Sequence, residues 1–150
     1  MADSQYILEV NNLCQHFSSG RGKKKLTVKA VDDVTFGVRP AETFGLVGES
    51  GCGKTTTGRT IIRLYNPTGG EVLFNGRDIA GKMNPDLRKY LTDNIAMIFQ
   101  DPIESLNPKM TIEEIIGEGL TVRGQKDKAQ NRKEVVDMLR KVGLVEEHAT

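Results

Sequence analysis

The stretch GLVGESGCGKTTTGRT, residues 45–60, places a lysine among closely spaced glycines and follows it with three threonines. The apolar residues Phe44, Leu46 and Val47 stand at its start, and the helix-compatible run TTTGRTIIRLY continues it. A surface turn needs one or two glycines and a helix start needs none. The glycines therefore mark a point where the sequence predicts that a strand gives way to a helix.

This segment fits the pattern G-x-x-x-x-G-K-[ST] in full. Glycines let the backbone curl so that successive N–H groups face phosphate oxygens, and the helix that follows directs the positive end of its dipole at the same anion. In this pattern Lys54 reaches the β- and γ-phosphates, and the Thr55 hydroxyl is a ligand of Mg²⁺. The sequence predicts a nucleoside triphosphate site whose phosphate-binding residues are Gly48, Glu49, Ser50, Gly51, Cys52, Gly53, Lys54, Thr55 and Thr56.

Composition limits the remaining possibilities. The 21 Lys and Arg residues nearly balance the 20 Asp and Glu residues, so charge does not favour nucleic acid as a partner. Cys14 and Cys52 are the only cysteines, and no CxxC or Cys/His cluster in the sequence predicts zinc. The first residues, MADSQYILEV, predict no secretion signal, and no apolar run predicts a membrane span.

Three segments up to the glycine-rich loop predict strands. YILEVNNL, KAVDDVTFGV and ETFGLVG are short and rich in apolar or β-branched residues. The third is apolar enough to be buried on both faces of an α/β sheet. Between the first two, a turn carries the basic residues Arg21 and Lys23–Lys25. This run indicates a solvated hairpin loop, with contact to phosphate or lipid as the alternative.

Downstream of the loop, helices and strands are predicted to alternate. A helix from residue 54 to about 65 is expected to end before Pro67. Asn75-Gly76 predicts a type I′ hairpin turn, PDLRKYLTD a short helix and NIAMIFQ a buried strand.

Two further helices are predicted toward residue 150. A capping box at residues 111–114 opens the first, which is expected to bury Ile112, Ile115, Ile116 and Leu120. The second spans residues 126–142, places Val135, Leu139 and Val142 on one face, and stops at Gly143.

The stretch from Gly45 to Ile79 resembles the nucleotide-binding domain of ABC transporters, and IAMIFQDPIESLNPKMTIEEIIGEGL resembles the oligopeptide/dipeptide importer type. The resemblance covers essentially all 150 residues. It implies an α/β fold, a P-loop NTPase core with an antiparallel β subdomain and part of a helical subdomain, incomplete at the C-terminus. Residues 1–102 would form the β subdomain and P-loop core, and residues 103–150 would begin the helical subdomain.

The resemblance also implies roles for single residues. Gln100 is similar to the Q-loop glutamine, which reaches Mg²⁺ and the attacking water, so Mg²⁺ would be held by Thr55 and Gln100. A neutral amide suits both tasks. In a rival reading, IAMIFQD is the Walker B strand and Asp101 is the Mg²⁺ ligand; the SLNP that follows favours the Q-loop. Phe17 falls where the family has the aromatic residue that stacks on adenine, with core packing as the alternative.

Three of the family's motifs do not occur in the 150 residues: an LSGGQ-like signature, an apolar strand ending in Asp-Glu, and a later switch histidine. His16 and His148 are interpreted as ordinary polar residues. The resemblance therefore implies the N-terminal part of an ATPase subunit that does not turn over ATP by itself. In the family, such a subunit pairs with a second ATPase subunit and with transmembrane permease subunits at the cytoplasmic face of the cell membrane, and energises peptide import.

Two other classes stay open. A self-standing P-loop NTPase would be a GTPase or a small kinase, but QKDK at residues 125–128 is not the guanine-specifying N-K-x-D, and no arginine-bearing lid is evident. A non-transport ABC ATPase acting on nucleic acid is disfavoured by the near-neutral charge and by FQDPIESLNP.

Overall fold

The computed structural model describes residues 5–20, 26–101, 103 and 105–150. It divides into two compact units, Met1–Met97 and Ile98–Thr150. The basic run at residues 21–25 and Pro102 lie outside the described residues, so the predictions on them stay untested.

The first unit is built on one antiparallel sheet. In the described residues its strands run in the order β2-β1-β3-β4. Two long strands from the N-terminal part of the chain pair with each other, and a short hairpin adds the other two. The bounds are β1 Leu8–Ser19, β2 Leu26–Val38, β3 Gly69–Phe74 and β4 Arg77–Asp78.

Turn chemistry and apolar burial explain this sheet. Asn75 and Gly76 both have positive φ, 50° and 70°, as a type I′ turn requires, so the predicted hairpin is confirmed. Apolar side chains from three strands and from the segment after β4 form the centre of the core, where they are almost completely buried: Val10, Leu13, Val31, Val72 and Ile79.

Two helices belong to the first unit, α1 (Lys54–Ile61) and α2 (Pro85–Asn94). Helix α2 forms as predicted, because Asn84 accepts a hydrogen bond from the Leu87 amide and proline occupies the first helical position. Helix α1 is shorter than predicted and ends well before Pro67. Arg63 is left-handed there, with φ of 65°, and donates to the carbonyls of Ile79 and Gly81, which holds the chain in a turn.

Two predicted strands are wrong. ETFGLVG and NIAMIFQ are irregular rather than extended in a sheet, and they are not buried: Val47 is 93% exposed and Ile98 is 90% exposed. A strand exists only through ladder hydrogen bonds to a neighbour. In the part of the chain that the structure describes, every ladder belongs to β1–β4, so these two apolar segments have no pairing partner there.

The second unit packs two helices, α3 (Ile112–Val122) and α4 (Lys128–Lys141), and a short 3₁₀ helix, Glu146–Ala149. The capping box at Thr111 and Glu114 is confirmed, with both reciprocal hydrogen bonds present. The small core of this unit consists of Leu120, Val135, Leu139 and Ala149, with Ile116 packed against it.

Ile112, which was predicted to be buried, and Val142, which was predicted to share a face with Val135 and Leu139, are both exposed. Ile112 is in the first turn of α3 and is 38% exposed, and Val142 is 71% exposed. Val142 is already beyond the last residue of α4, because Leu144 N–H and Gly143 N–H return to the carbonyls of Leu139 and Arg140 and close the helix. Val136 is buried instead.

Candidate functional site

Residues 48–55 form a tight loop that ends at the start of α1, within the first unit. The Lys54 side chain folds back over this loop. Its Nζ donates to the carbonyl of Gly48 at 2.7 Å and to the carbonyl of Glu49 at 2.6 Å. Both partners are neutral backbone groups, so the ammonium charge is solvated by the loop without being neutralised by a carboxylate at these contacts. A positive charge is thereby fixed at the centre of the loop.

Gly53 makes the transition from the loop to α1 possible. It is the N-cap residue, with φ of 98° and ψ of −1°, a left-handed conformation that L side chains rarely adopt. A Cβ atom at this position would lie 2.2 Å from the carbonyl oxygen of Ala30 in β2. The second glycine of the motif is thus required both by its backbone conformation and by its close approach to β2.

The start of α1 is arranged to accept an anion. The helix has no side-chain cap and no acidic residue in its first turn. The first N–H groups of a helix have no intrahelical acceptor, and they carry the positive end of the dipole. Their hydrogen-bonding capacity and the Lys54 charge are therefore available at the same place in the chain.

Three of the four threonines in α1, namely Thr55, Thr57 and Thr60, differ in exposure. Thr57 and Thr60 are buried, and their hydroxyls donate to the carbonyls of Gly53 and Thr56 inside the helix. Thr55 is exposed. Of these threonines, Thr55 thus keeps an oxygen accessible for a hard cation, the type of ligand that Mg²⁺ prefers. The residue set fits a magnesium–phosphate group at this loop.

Close packing also favours glycine at position 48, the first glycine of the motif. A Cβ atom on Gly48 would lie 2.6 Å from the Cys52 sulfur.

Beside the loop, Phe36 stacks on Phe44 with ring centroids 4.8 Å apart. Both rings line a largely apolar cavity of about 540 Å³ together with Leu46 and Ile61. The segment predicted to be a buried strand therefore lines a cavity wall instead of filling a core.

Phe17 lies on β1 in the first unit and is 39% exposed. Its ring meets the Tyr65 ring edge-to-face, with centroids 5.2 Å apart. A half-exposed aromatic face is compatible with stacking on a base, and the Tyr65 contact is compatible with simple packing. Its adenine-binding role stays a prediction.

Gln100 belongs to the second unit, where it is exposed at a bend. The neighbouring Asp101 accepts a hydrogen bond from the Ile103 amide through its carboxylate. This is an Asx-type turn that begins the loop toward α3. The structure therefore places Gln100 in an irregular segment, and its role toward Mg²⁺ also stays a prediction.

Comparison with known proteins assigns a family. A family model described as ABC transporter matches residues 31–150. The oligopeptide transport ATP-binding protein OppF of Bacillus subtilis is 50% identical over 147 residues, which is 97% of this chain and 47% of that protein. The dipeptide transport ATP-binding protein DppF of Lactococcus lactis is 44% identical, with 100% of this chain and 48% of that protein covered.

Solved structures agree with this assignment. A dimeric ATP-binding cassette in a post-hydrolysis state, bound to ADP and Pi, has a TM-score of 0.76 and 26% sequence identity. The match covers 95% of this chain and 60% of that cassette. The chain spans about half the length of the curated relatives it matches. Among the described residues, every helix is too short or too polar to cross a bilayer.

Proposed function

Because this chain belongs to the ABC transporter family, we propose that it binds Mg-ATP as part of the ATPase subunit of a peptide importer. The observation that carries the proposal is the loop at residues 48–55. Lys54 Nζ donates to two carbonyls of this loop, next to the start of α1, which has no side-chain cap. A charge and a set of backbone donors at one place are what a triphosphate needs.

Binding of the triphosphate would change the hydrogen-bond acceptors of the Lys54 ammonium. In the structure, its Nζ donates to the carbonyls of Gly48 and Glu49. Phosphate oxygens are stronger acceptors, since a hydrogen bond between two charged groups is shorter and roughly twice as strong as one between neutral groups. The Lys54 ammonium would therefore bind the β- and γ-phosphates in place of these carbonyls, and the first N–H groups of α1 would hold the phosphate oxygens.

Thr55 would hold Mg²⁺ through its hydroxyl, with Gln100 as a second ligand. The cation supplies charge neutralisation on the phosphates. Phe17 would present its exposed ring face to the adenine, which is recognised by stacking instead of by its polar edge.

The names of the relatives favour peptide transport. OppF and DppF are described as oligopeptide and dipeptide transport ATP-binding proteins. We propose that this protein likewise works with transmembrane permease subunits and a second ATPase subunit at the cytoplasmic face of the cell membrane. ATP hydrolysis by the complete assembly would then drive peptide import.

Calorimetric titration of ATP with Mg²⁺ tests the binding proposal. Lys54→Ala removes charge-assisted contacts worth about 1.5–3 kcal/mol, which is roughly 10- to 150-fold in affinity. Lys89→Ala is the matched control, since it deletes an exposed lysine whose Nζ pairs with Asp93 on α2. Equal affinity for wild type and Lys54→Ala would contradict the proposal, and so would an equal loss in both variants.

A further inference from the structure

An irregularity in the pairing of β1 with β2 brings three metal-ligating residue types together. Leu13 pairs with Val34 and Gln15 pairs with Val31, so Cys14 alone stands opposite the two residues Asp32 and Asp33. Such a bulge redirects the side chains next to it.

The three side chains converge on one point. His16 Nε2 lies 3.0 Å from an oxygen of Asp32. The possible ligand atoms of Cys14, His16 and Asp32 all lie within 4.8 Å of one another. For comparison, neighbouring ligands of a tetrahedral zinc ion are about 3.3–3.8 Å apart, given bond lengths of about 2.0–2.3 Å. Small side-chain rotations are therefore sufficient to place all three atoms around one cation.

Hydrogen bonds to neighbouring residues hold Cys14 and His16 in position. The Asp33 amide points its N–H at the Cys14 sulfur, at 3.4 Å. A donor of this kind stabilises a thiolate, and groups that orient ligands are typical of metal centres. His16 is fixed from its backbone, because its amide donates to the Thr68 hydroxyl at 3.1 Å. The sulfur and imidazole are half-buried, while Asp32 is exposed.

Charge is compatible with a cation here. Lys29 Nζ lies 3.0 Å from the other oxygen of Asp32, and the hydrogen bonds from Lys29 and then from His16 keep the pKa of this carboxyl below its usual value. Lys29 is a solvated partner whose side chain is 61% exposed, and an exposed pair of this kind contributes little. A metal ion bound at the first oxygen would replace the His16 hydrogen bond and leave the Lys29 pair in place.

We propose that Cys14, His16 and Asp32 form a three-ligand site for a borderline divalent cation of the zinc class. A thiolate and an imidazole select such ions over Mg²⁺, which prefers oxygen ligands, so this site is chemically distinct from the one at Thr55. Water would complete the tetrahedron, as at other three-ligand zinc sites. Binding of the cation would release the thiol proton of Cys14 and would link β1 to β2 across the bulge.

Cobalt absorption spectroscopy tests the thiolate ligand. The purified full chain is titrated with Co²⁺ in the absence of nucleotide, and we expect a thiolate-to-cobalt charge-transfer band in the near ultraviolet. Cys14→Ser should abolish this band, whereas Cys52→Ser should retain it. These are the only two cysteines, so the pair is a matched control. Absence of the band in the wild type, or its loss in Cys52→Ser alone, would overturn the proposal.

Zinc affinity, measured by competition with a chromophoric chelator, tests the other two ligands. His16→Asn and Asp32→Asn should each weaken binding at least about tenfold, since even groups that only orient a ligand cost about 10–100-fold when removed. His148→Asn changes the other histidine and should leave the zinc affinity unchanged. Circular dichroism confirms folding of each variant; Asp32→Asn alters an exposed side chain and serves if His16→Asn unfolds. Unchanged affinity in a folded Asp32→Asn would overturn the three-ligand site.

Discussion

Gly53 and Lys54 show how two adjacent residues divide the work at the glycine-rich loop. Gly53 adopts a left-handed backbone conformation and, without a Cβ atom, leaves room for the Ala30 carbonyl. Lys54 supplies the positive charge. Neither residue can take the place of the other, because the role of Gly53 depends on the absence of a side chain and the role of Lys54 depends on a long cationic side chain. The lysine is therefore held in place by the backbone path that the glycine permits.

Gly53→Ala should destabilise the first unit and weaken ATP binding. The left-handed conformation costs about 1–3 kcal/mol for a residue with a Cβ atom, and the approach of the Ala30 oxygen at 2.2 Å adds to that cost. Gly58→Ala is the matched control, since it lies inside α1 with nothing within 4 Å of the new atom and should stabilise by about 0.5–1 kcal/mol. Urea unfolding followed by circular dichroism measures both; equal stability of the two variants would contradict this explanation.

Phe17→Ala should weaken ATP binding by about 1–3 kcal/mol if its exposed ring stacks on the base. GTP should bind within about tenfold of ATP, because stacking uses a face that both purines have. Phe17→Tyr retains the ring and should be nearly silent. Competition of a fluorescent ATP analogue with ATP, GTP and inorganic triphosphate measures these effects. If triphosphate competes as well as ATP, the ring only packs on Tyr65 and the base binds elsewhere.

At the scale of elements, local signals determine where helices begin more reliably than where they end. The N-cap residues of α2 and α3 are Asn84 and Thr111, whose side chains accept from the amides of Leu87 and Glu114. These bonds join residues three positions apart, so the sequence contains all the information they need. At the end of α1, local backbone bonds such as Leu64 N–H to the Arg59 carbonyl are joined by contacts from Arg63 to the carbonyls of Ile79 and Gly81, which are far along the chain.

Thr111→Ala should lower the stability of the second unit by about 0.5–2 kcal/mol, the usual cost of losing an N-cap. The substitution removes the acceptor for the Glu114 amide. Thr121→Ala is the control on the same helix: its hydroxyl only returns to the Gly117 carbonyl, so the change should be neutral or slightly stabilising. Chemical unfolding monitored by helical circular dichroism distinguishes the two. A loss of equal size in both would indicate that the cap contributes nothing specific.

At the scale of the whole molecule, the chain consists of two units with separate cores. The loop at residues 48–55 lies in the first unit and Gln100 lies in the second. Two segments with the apolar composition of central strands, 42–48 and 94–100, have no ladder partner among the described residues.

We expect the 150-residue chain to bind ATP without sustained hydrolysis. Stabilising the transition state requires charges and donors around the whole γ-phosphoryl group. Lys54 and Mg²⁺ would supply part of that environment, whereas the 150 residues contain neither an LSGGQ-like signature nor an apolar strand that ends in Asp-Glu, the motifs that the resemblance expects to supply the rest. Phosphate release should therefore stay at background over a range of protein concentrations. Sustained turnover that Lys54→Ala abolishes would show instead that the chain is an autonomous enzyme.

The amino-acid sequence by itself determined the features that depend on neighbours in the chain. These are the glycine-rich loop before α1, the Asn75-Gly76 hairpin, the capped starts of α2 and α3, and the family, because each is encoded by residue types at short, fixed spacing.

Only the tertiary structure decided the features that depend on distant residues. Whether apolar segments such as 42–48 become strands depends on a partner to pair with. The meeting of Cys14 and His16 with Asp32 is of the same kind. The sequence shows no zinc pattern, because a bulge between two paired strands, rather than a short spacing along one segment, brings these ligands together.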